Sequence, residues 1–507
     1  MEPLLVALVL ALGVGLFYLG AILHRQYTYW RKRGVPFVEV FPLIGNNGAV
    51  LLRFKTFPAF IEDAYYRYPG ARYHGLFDFN SPVVMLRDPE LIKDVCVKKF
   101  DHFPDHRTFV DEEMDPIFGR NVFSLRGDRW RDTRNALTPS FTATRMKFLF
   151  QLVSRCAEGF AQYLADHPVD EVEAKDAFTR YTNDVIATAA FGVEVDSMKN
   201  RTNDFYESGR DTANFGSIPR VIKFLIFRVW PRLLGYLGVS FLSAKSTRFF
   251  KDLVADTVEQ RQRKGIVRPD MIQLLMQARD KEGGPEMSID DMTAQAFIFF
   301  VAGFDTTSTL LCFMARELSL NPDIQEKLRQ EVDQLVESVD GDEEGVTYQT
   351  LGKLKYMDMV ISETLRKYPP APFFDRLCLK PYDLPASMPG HRPITVDPGT
   401  VIWVPIYALH NDPRYFPEPQ KFHPERFSEE NKDNIQPYTY MPFGVGPRKC
   451  LGTRFALMET KILFLHLLRR FVIKPTPKTR REVVFSKASF NMMIEGGFWV
   501  KFEPRKI

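Results

Sequence analysis

The sequence predicts a mainly helical protein with small β-sheets, preceded by one transmembrane helix. Residues 3–23 form an uncharged apolar run. A long helical pattern follows Ser288, which can form a capping box with Asp291, and it extends as far as Leu320. Only a few short segments show the composition and alternation of strands, and Gly, Pro or Asn bounds them. These strand candidates are residues 71–79, 82–88 and two strands within 393–410.

The N-terminal run has the length of about 20 residues that a helix needs to cross a bilayer. Four basic residues follow it, at positions 25 and 31–33, whereas a cleaved signal peptide has a shorter apolar core with positive charge in front of it. The pattern therefore favours a retained anchor with the rest of the chain in the cytosol. We expect an anchor over residues 1–24, a basic, proline-containing linker over 25–47 and one globular domain over 48–507.

Composition excludes two classes of protein. The net charge of +4 is small for 507 residues and no concentrated basic stripe occurs, which argues against nucleic acid as the main partner. The five cysteines are odd in number and widely separated, so neither a disulfide framework nor a zinc site is indicated. A reducing compartment is the natural interpretation.

The middle of the long helix carries polar residues where a buried helix should be apolar. Ala302 is followed by "GFDTTST", which places Gly303, Asp305 and Thr306 at the centre of the helix. A buried polar group without a partner is costly, and a helical glycine is less favourable than alanine. Two interpretations are open: the hydroxyls bond carbonyls four residues earlier while Asp305 faces a solvated crevice, or the polar break serves chemistry.

Two pairs of residues have the spacing of neighbours on one helix face. Glu363 and Arg366 stand at i,i+3, and Arg426 further along the chain could join them in a buried network. Trp130 and Arg134 stand at i,i+4, where an indole N–H and a guanidinium could bind one anion. Each pair is also common on ordinary helix surfaces.

The stretch "PFGVGPRKC", residues 442–450, surrounds one cysteine with unusual backbone. Gly444 and Gly446 permit tight turns and a close approach of the backbone to a flat ligand. Cys450 lies just before an apolar helical pattern, whose N-terminal dipole and two neighbouring cations would stabilise a thiolate. A lone buried cysteine is more often inert, but these surroundings favour a metal-binding sulfur.

At these residues the sequence resembles the cytochrome P-450 haem-thiolate monooxygenases, closest to microsomal drug- and toxin-metabolising members and most like those of insects. Four motifs occur in the family's order over the whole chain. They are the cysteine signature (Phe443, Gly446, Arg448, Cys450, Gly452), the structural triad (Glu363, Arg366, Arg426), the oxygen-activation segment 302–307 and the propionate-binding pair Trp130 and Arg134. The resemblance implies the family's triangular prism, with haem between the long central helix and the helix after the cysteine loop.

The resemblance also implies roles for residues of this chain. Cys450 would be the axial ligand of haem b, Thr306 would donate a hydrogen bond on the oxygen-binding side, Asp305 would relay protons, and Ala302 and Gly303 would leave room for oxygen and water. Phe443 would lie beside the haem. The candidate clamps for the haem propionates are Trp130, Arg134, Arg376 and Arg448.

The implied activity is a membrane-bound monooxygenase of the endoplasmic reticulum that uses O2 and NADPH. Electrons would come from a reductase, because no GxGxxG or flavin motif occurs; cytochrome b5 is a further candidate partner. Lipophilic xenobiotics such as plant toxins or insecticides are the implied substrates, and a dedicated oxidase of a hormone, pheromone or fatty acid is the alternative. A haem-thiolate isomerase or dehydratase would need no reductase and would tend to lack the acid–threonine pair.

The substrate site is the least determined part of the sequence. Phe304, Phe373, Phe374 and Phe490 are candidate pocket walls. Residues 215–242 are apolar and aromatic with interspersed cations, a pattern of helices that dip into a membrane surface or of ordinary core helices.

Overall fold

The computed structural model describes residues 2–108, 110, 112–213, 216–229, 239–268, 270–280, 287–339, 345–489 and 491–506. The chain is mainly helical with small sheets, as predicted. Its α-helices are α1 (Glu2–Lys32), α2 (Gly48–Leu51), α3 (Phe57–Tyr66), α4 (Pro89–Lys93), α5 (Pro116–Gly119), α6 (Gly127–Leu137), α7 (Ala143–Asp166), α8 (Ala174–Ile186), α9 (Asp204–Ala213), α10 (Ile218–Val229), α11 (Ala244–Lys264), α12 (Met271–Asp280), α13 (Ile289–Leu320), α14 (Pro322–Ser338), α15 (Tyr348–Leu351), α16 (Lys355–Lys367), α17 (Ile406–His410) and α18 (Thr453–Arg470). Its strands are β1 (Tyr73–Asp78), β2 (Ser81–Leu86), β3 (Val172–Glu173), β4 (Phe374–Leu377), β5 (Tyr382–Leu384), β6 (Ile394–Val396), β7 (Val401–Val404), β8 (Phe471–Pro475) and β9 (Trp499–Pro504).

The chain divides into two compact units. The first comprises Met1–Arg107, Pro372–Leu409 and Pro437–Arg448. The second comprises Thr108–Ala371, His410–Gln436 and Lys449–Ile507. The predicted boundaries at residues 24 and 47 stay predictions; α1 itself continues to Lys32.

The first unit is built on a four-stranded sheet of order β1-β2-β7-β4. The predicted hairpin is confirmed, because β1 pairs antiparallel with β2 from Tyr73 opposite Leu86 to Asp78 opposite Ser81. Residues 393–410 supply two strands, as predicted, but these do not pair with each other. Strand β6 pairs with β5, whereas β7 pairs with β2 and β4.

The second unit is organised by α13. The predicted capping box is present, since the Ser288 hydroxyl accepts from the Asp291 backbone N–H and the Asp291 side chain accepts from the Ser288 N–H. Pro322 begins α14 directly after the helix ends. Among the described residues, α1 and α13 are long and apolar enough to cross a membrane. Most of α13 is buried, while the apolar part of α1 is not, so α13 serves as a core helix.

The Glu363–Arg366 pair on α16 is fully buried. Both side chains have 0% exposure, and the guanidinium donates two hydrogen bonds to the carboxylate, at 2.8 and 2.9 Å. The Arg426 Nε atom lies 3.5 Å from the same carboxylate. The i,i+3 spacing therefore brings the predicted side chains together.

The Glu363–Arg366 pair also binds the backbone of residues 410–423, which follow β7 in the sequence. Arg366 donates to the carbonyls of His410, at 2.9 Å, and Pro419, at 2.8 Å. The Glu363 carboxylate accepts from the backbone N–H of His423 at 3.0 Å. The two buried charges thus fix the path of residues 410–423 against α16.

We predict that Glu363→Gln destabilises the protein by about 3–5 kcal/mol, because it leaves the Arg366 cation buried without its counter-charge. The matched control is Glu326→Gln, which removes an i,i+3 Glu–Arg pair on α14 whose side chains are 45% and 28% exposed. The control should cost at most about 1 kcal/mol. Denaturant unfolding of both variants measures these losses of stability. Equal losses of unfolding free energy would show that the buried α16 pair contributes no more than an exposed ion pair.

Candidate active site

The backbone of the cysteine loop requires its glycines. Gly444 and Gly446 have φ angles of 70° and 74°, a region that side-chain-bearing residues rarely adopt. A Cβ atom at Gly446 would lie 2.1 Å from the carbonyl oxygen of Cys96. The Arg376 guanidinium donates to the Val445 carbonyl at 3.1 Å. Glycine thus lets the loop pack directly against backbone, and an arginine holds it there.

Cys450 stands three residues before the first residue of α18. Its side chain is accessible, yet burial is the largest influence on the pKa of its thiol. Arg134 on α6 fastens this part of the loop, donating to the Lys449 carbonyl at 2.6 Å. Trp130, one turn earlier on α6, is buried.

Burial raises the pKa of the Cys450 thiol, although the Gly452 backbone N–H, the Thr453 hydroxyl and the Arg134 guanidinium each lower it. Groups at the start of α18 and a nearby cation thus favour the thiolate, while the loss of hydration opposes it. The expectation of a thiolate at Cys450 stays a prediction, and coordination to a metal ion would favour it.

The two predicted arginines of the first unit differ in how they are paired. Arg448 forms an ion pair of 2.7 Å with Asp105, and both side chains are only 2% exposed. Arg376 is 1% exposed, and its Nε atom has no hydrogen-bond partner among the described residues. Sequence reasoning missed Asp105, because no motif connects it with a residue 343 positions away.

One face of α13 opens in the middle of the helix. Ala302 and Thr306 are exposed, although Phe300, Phe304 and Thr307 around them are buried. The Thr306 hydroxyl donates to the Ala302 carbonyl at 2.5 Å, so the first of the two open interpretations holds for this residue. The hydroxyl oxygen can still accept a hydrogen bond on the accessible face.

Gly303 faces away from this opening. A Cβ atom there would lie 2.5 Å from Cδ1 of Ile186 on α8. The glycine therefore permits close packing of α8 on α13 and does not provide room for a ligand. The cost of a mid-helix glycine is explained by this contact.

Asp305 is held by two residues that the sequence did not indicate. Lys175 on α8 donates to its carboxylate at 2.9 Å and to the hydroxyls of Ser308 and Thr309, each at 2.8 Å. Asn491 donates to its other carboxylate oxygen at 2.5 Å. Asp305 therefore does not face a solvated crevice but forms an ion pair with Lys175. The Lys175 and Asp305 side chains are 14% and 22% exposed. Lys175 and Asn491 are 130 and 186 residues from Asp305 in the sequence, so no local pattern could predict these contacts.

The candidate pocket phenylalanines lie in different places. Phe304 is buried in an aromatic cluster, 5.1 Å from the ring of Phe300. A step of two residues along a helix points it away from Ala302; its assignment as a pocket wall stays a prediction. Phe373 packs 4.7 Å from Trp403 and Phe374 lies on β4; their assignment stays a prediction. Phe490 and parts of 215–242 lie outside the described residues.

The predicted site residues fall in both units. The second unit contains Trp130, Arg134, Ala302, Asp305, Thr306 and Cys450, and the first contains Arg376, Phe443 and Arg448. Each unit carries groups of the kinds that a haem requires. In the second unit these are an accessible thiol and an exposed strip on a core helix, and in the first a buried cationic atom that a carboxylate could pair with.

Comparison with known proteins agrees with this chemistry. A family model described as cytochrome P450 matches residues 38–500. Cytochrome P450 9e2 of Blattella germanica is 48% identical over 95% of this chain and 94% of its own length. Probable cytochrome P450 9f2 of Drosophila melanogaster is 39% identical over 98% of both chains, and cytochrome P450 6j1 of Blattella germanica is 36% identical over 94% of both.

The family model spans nearly the whole chain, and the relatives align from end to end. Family membership implies a haem with a cysteine ligand, a redox partner and a small-molecule substrate. With these similarities, the chain belongs to the cytochrome P450 family, and it is a haem-containing monooxygenase.

Proposed function

We propose that the protein inserts one oxygen atom from O2 into lipophilic small molecules at a haem whose axial ligand is Cys450. The observation that carries this proposal is the accessible strip of Ala302 and Thr306 on an otherwise buried helix. A core helix gains nothing by leaving a threonine and an alanine uncovered unless a ligand covers them. The strip and the accessible cysteine belong to the same unit.

The residues around the cysteine loop would hold the haem. When bound, the haem supplies an iron that activates oxygen, and a thiolate ligand favours cleavage of the O–O bond. The Gly452 N–H and the Thr453 hydroxyl stabilise the Cys450 sulfur. Arg376 and Arg134 are the cations that we propose to bind the haem propionates. Arg448 is less suited to this role because Asp105 already neutralises its charge.

Thr306 and Asp305 would control protons. The Thr306 hydroxyl can rotate from the Ala302 carbonyl to donate on the accessible face while water takes its place at the carbonyl. Both oxygens of the Asp305 carboxylate accept hydrogen bonds, one from Lys175 and the other from Asn491. To relay a proton, Asp305 must therefore break its contact with Lys175 or exchange the proton through the Lys175 ammonium. The ion pair of Lys175 and Asp305 thus limits when Asp305 can pass on a proton, and we call these two residues the latch.

Electrons would come from NADPH through a membrane-bound reductase, with cytochrome b5 as a second donor. The α1 helix supports an anchor in the endoplasmic reticulum membrane, since its apolar part is uncovered by protein. We propose one membrane span, with the two units on the cytosolic face as the basic residues after the span indicate.

The substrates we propose are xenobiotics such as plant toxins or insecticides, in keeping with the similarity to insect family members. A dedicated oxidase of a hormone, pheromone or fatty acid would show one preferred compound. Turnover of a lipophilic library by the full-length protein with its reductase separates the two: several unrelated products support the proposal, and a single efficient substrate contradicts it.

We predict that Cys450→Ala abolishes the thiolate-type spectrum of the reduced carbonyl complex, because the sulfur supplies the axial ligand. Cys156→Ala is the control, since Cys156 on α7 is only partly buried and lies outside the loop. An unchanged spectrum in the Cys450 variant would refute the ligand assignment.

We expect Thr306→Ala to fold and bind haem normally, because the lost hydroxyl lies on an accessible face. Product formation should fall more than NADPH consumption, with the missing electrons recovered as hydrogen peroxide. Thr306→Ser keeps the hydroxyl and should restore the ratio of product to NADPH. If that ratio in the alanine variant matches the parent, Thr306 is only structural.

The latch predicts different effects for its two members. Lys175→Met and Asp305→Asn remove the same ion pair, so each should lower stability by about 1–3 kcal/mol. Only Asp305→Asn removes the proton-carrying carboxyl, and it alone should lower the turnover rate severely. Urea unfolding and steady-state turnover test this; an equal loss of turnover in both variants would show that the pair acts through structure.

A further inference from the structure

A cavity of about 370 Å³ lies in the second unit, between α7, α8 and the segment 187–198 that follows α8. Its volume is at the lower end of the range of about 300–1,000 Å³ that small-molecule sites occupy. Exposed residues of α7 and of the following segment surround its mouth. The floor consists of four buried side chains, those of Phe160, Tyr181, Asp184 and Met198.

The chain after α8 builds one wall of the cavity. Residues 187–191 form a short π-helix, and Gly192, whose φ angle is 73°, ends it. The chain then returns to α8, where Ser197 donates two hydrogen bonds to the Asp184 carboxylate, from its backbone N–H at 2.8 Å and from its hydroxyl at 2.5 Å. These bonds hold the wall of the cavity against α8.

The cavity and α13 lie against different faces of α8. Tyr181 and Asp184 stand at i,i+3, on one face of the helix, and both line the cavity. Thr182, between them in the sequence, points to another face, where its hydroxyl donates to the Phe304 carbonyl on α13 at 2.9 Å. Helix α8 therefore separates the cavity from α13 and from the accessible strip on that helix.

The carboxylate on the cavity floor has no counter-charge. Asp184 is 9% exposed, and its hydrogen-bond donors, Ser197 and Asn183, are neutral groups. Burial raises the pKa of the Asp184 carboxyl to about 7, and Asp196 adds to the rise, whereas the hydrogen bonds lower it. The surroundings thus disfavour the negative charge, and a cation in the cavity would favour it.

Other acidic groups act on the same cavity. Cys156 on α7 lines it, and burial raises the pKa of this thiol to about 12. The carboxyl groups of Asp184, Glu459 and Glu194 add to this rise, and the Arg155 guanidinium lowers it. Glu194 and Arg155 both stand at the exposed mouth. Acidic groups therefore outnumber the basic one around the cavity.

The lining suits an organic cation and not a metal ion. Among the described parts of the chain, no group of three or more His, Cys, Asp or Glu side chains is placed to hold a metal ion. The Phe160 and Tyr181 rings, 5.6 Å apart, contribute aromatic surface beside the carboxylate. Aromatic rings attract organic cations, and apolar substituents gain free energy by burial against them.

Gly159 leaves the mouth of the cavity open. It lies within α7, where glycine is less favourable than alanine. No atom lies within 4 Å of the position that a Cβ atom would take, so close packing does not require this glycine. It stands at i+3 from Cys156 and i+4 from Arg155, which both line the cavity. A large side chain at position 159 would therefore extend over the mouth.

We propose that this cavity is a second ligand site, which binds an organic cation: a quaternary or protonated amine whose nitrogen lies at the Asp184 carboxylate and whose apolar group lies against Phe160 and Tyr181. The inference goes beyond the proposed oxygen chemistry and does not depend on it, because α8 separates this site from α13. The bound cation supplies the counter-charge that Asp184 lacks.

The test measures binding of benzyltrimethylammonium by equilibrium dialysis against the haem-loaded full-length protein in phosphatidylcholine nanodiscs, with empty nanodiscs as the blank. The quaternary nitrogen of this probe has no lone pair, so it cannot bind the haem iron. Phenylmethanesulfonate carries the same benzyl group on an anionic head and is the matched ligand control. We expect one saturable site for the cation, no saturable site for the anion, and an unchanged haem absorption spectrum.

Variants at Gly159 test the position of the probe. Gly159→Trp should weaken binding at least about tenfold, because the indole occupies the mouth. Gly159→Ala is the matched control and should change the affinity by less than about twofold, because a methyl group there meets no neighbouring atom. Neither substitution removes a contact of the folded chain, so both variants should fold, and thermal unfolding checks this.

A variant at Asp184 tests the role of charge. Asp184→Asn keeps an oxygen that can accept from Ser197 but removes the negative charge, and it should weaken binding of the cation at least about tenfold. If this variant does not fold, the Gly159 variants and the anionic control still decide between the outcomes.

Three results would overturn the inference. Binding that shifts the haem absorption spectrum, or that Gly159→Trp leaves unchanged, would place the probe outside this cavity. Equal binding of phenylmethanesulfonate would show that the cavity does not select a cation. Absence of saturable binding of benzyltrimethylammonium would show that the cavity is not a site for this class of ligand.

Discussion

The buried pair of Glu363 and Arg366 is the constraint on which the path of residues 410–423 in the second unit depends. Neither charge has any exposure, so each would be strongly unfavourable without the other. Arg366 also binds the carbonyls of His410 and Pro419, and Glu363 accepts from the His423 N–H. The pair therefore fixes this segment against α16.

Two buried cations among the proposed site residues and their neighbours are paired with carboxylates. Arg448 has Asp105, and Lys175 has Asp305. Other proposed site residues are left accessible or partly unpaired: the Cys450 thiol and the Thr306 face in the second unit, and the Arg376 Nε atom in the first. They are a ligand for a metal, a hydroxyl and a cation, the kinds of group that a haem and an oxygen reaction require.

The sequence predicted features whose cause is local. The capping box at Ser288, the hairpin of β1 and β2, and the Glu363–Arg366 spacing depend on residues a few positions apart, and all occur in the structure. Placement of the cysteine before a helix was predictable for the same reason, from glycines followed by an apolar helical pattern.

Features that depend on distant parts of the chain were not predictable. Lys175 and Asn491 reach Asp305 only because α8 and the C-terminal segment pack on α13, and Asp105 meets Arg448 through the fold. The helix face that Phe304 occupies was not predictable, because an aromatic residue beside a polar break does not reveal it. The effect of burial on the pKa of the Cys450 thiol was not predictable either, because it depends on the folded surroundings.

The central claim is that the protein transfers one atom of dioxygen to its substrate. Turnover of a substrate under oxygen-18 gas, with NADPH and reductase and with product mass measured, tests it most directly. We expect one labelled oxygen atom in each product molecule, and NADPH consumption that rises with the amount of product formed. Product that forms without NADPH, or that carries oxygen only from water, would contradict it.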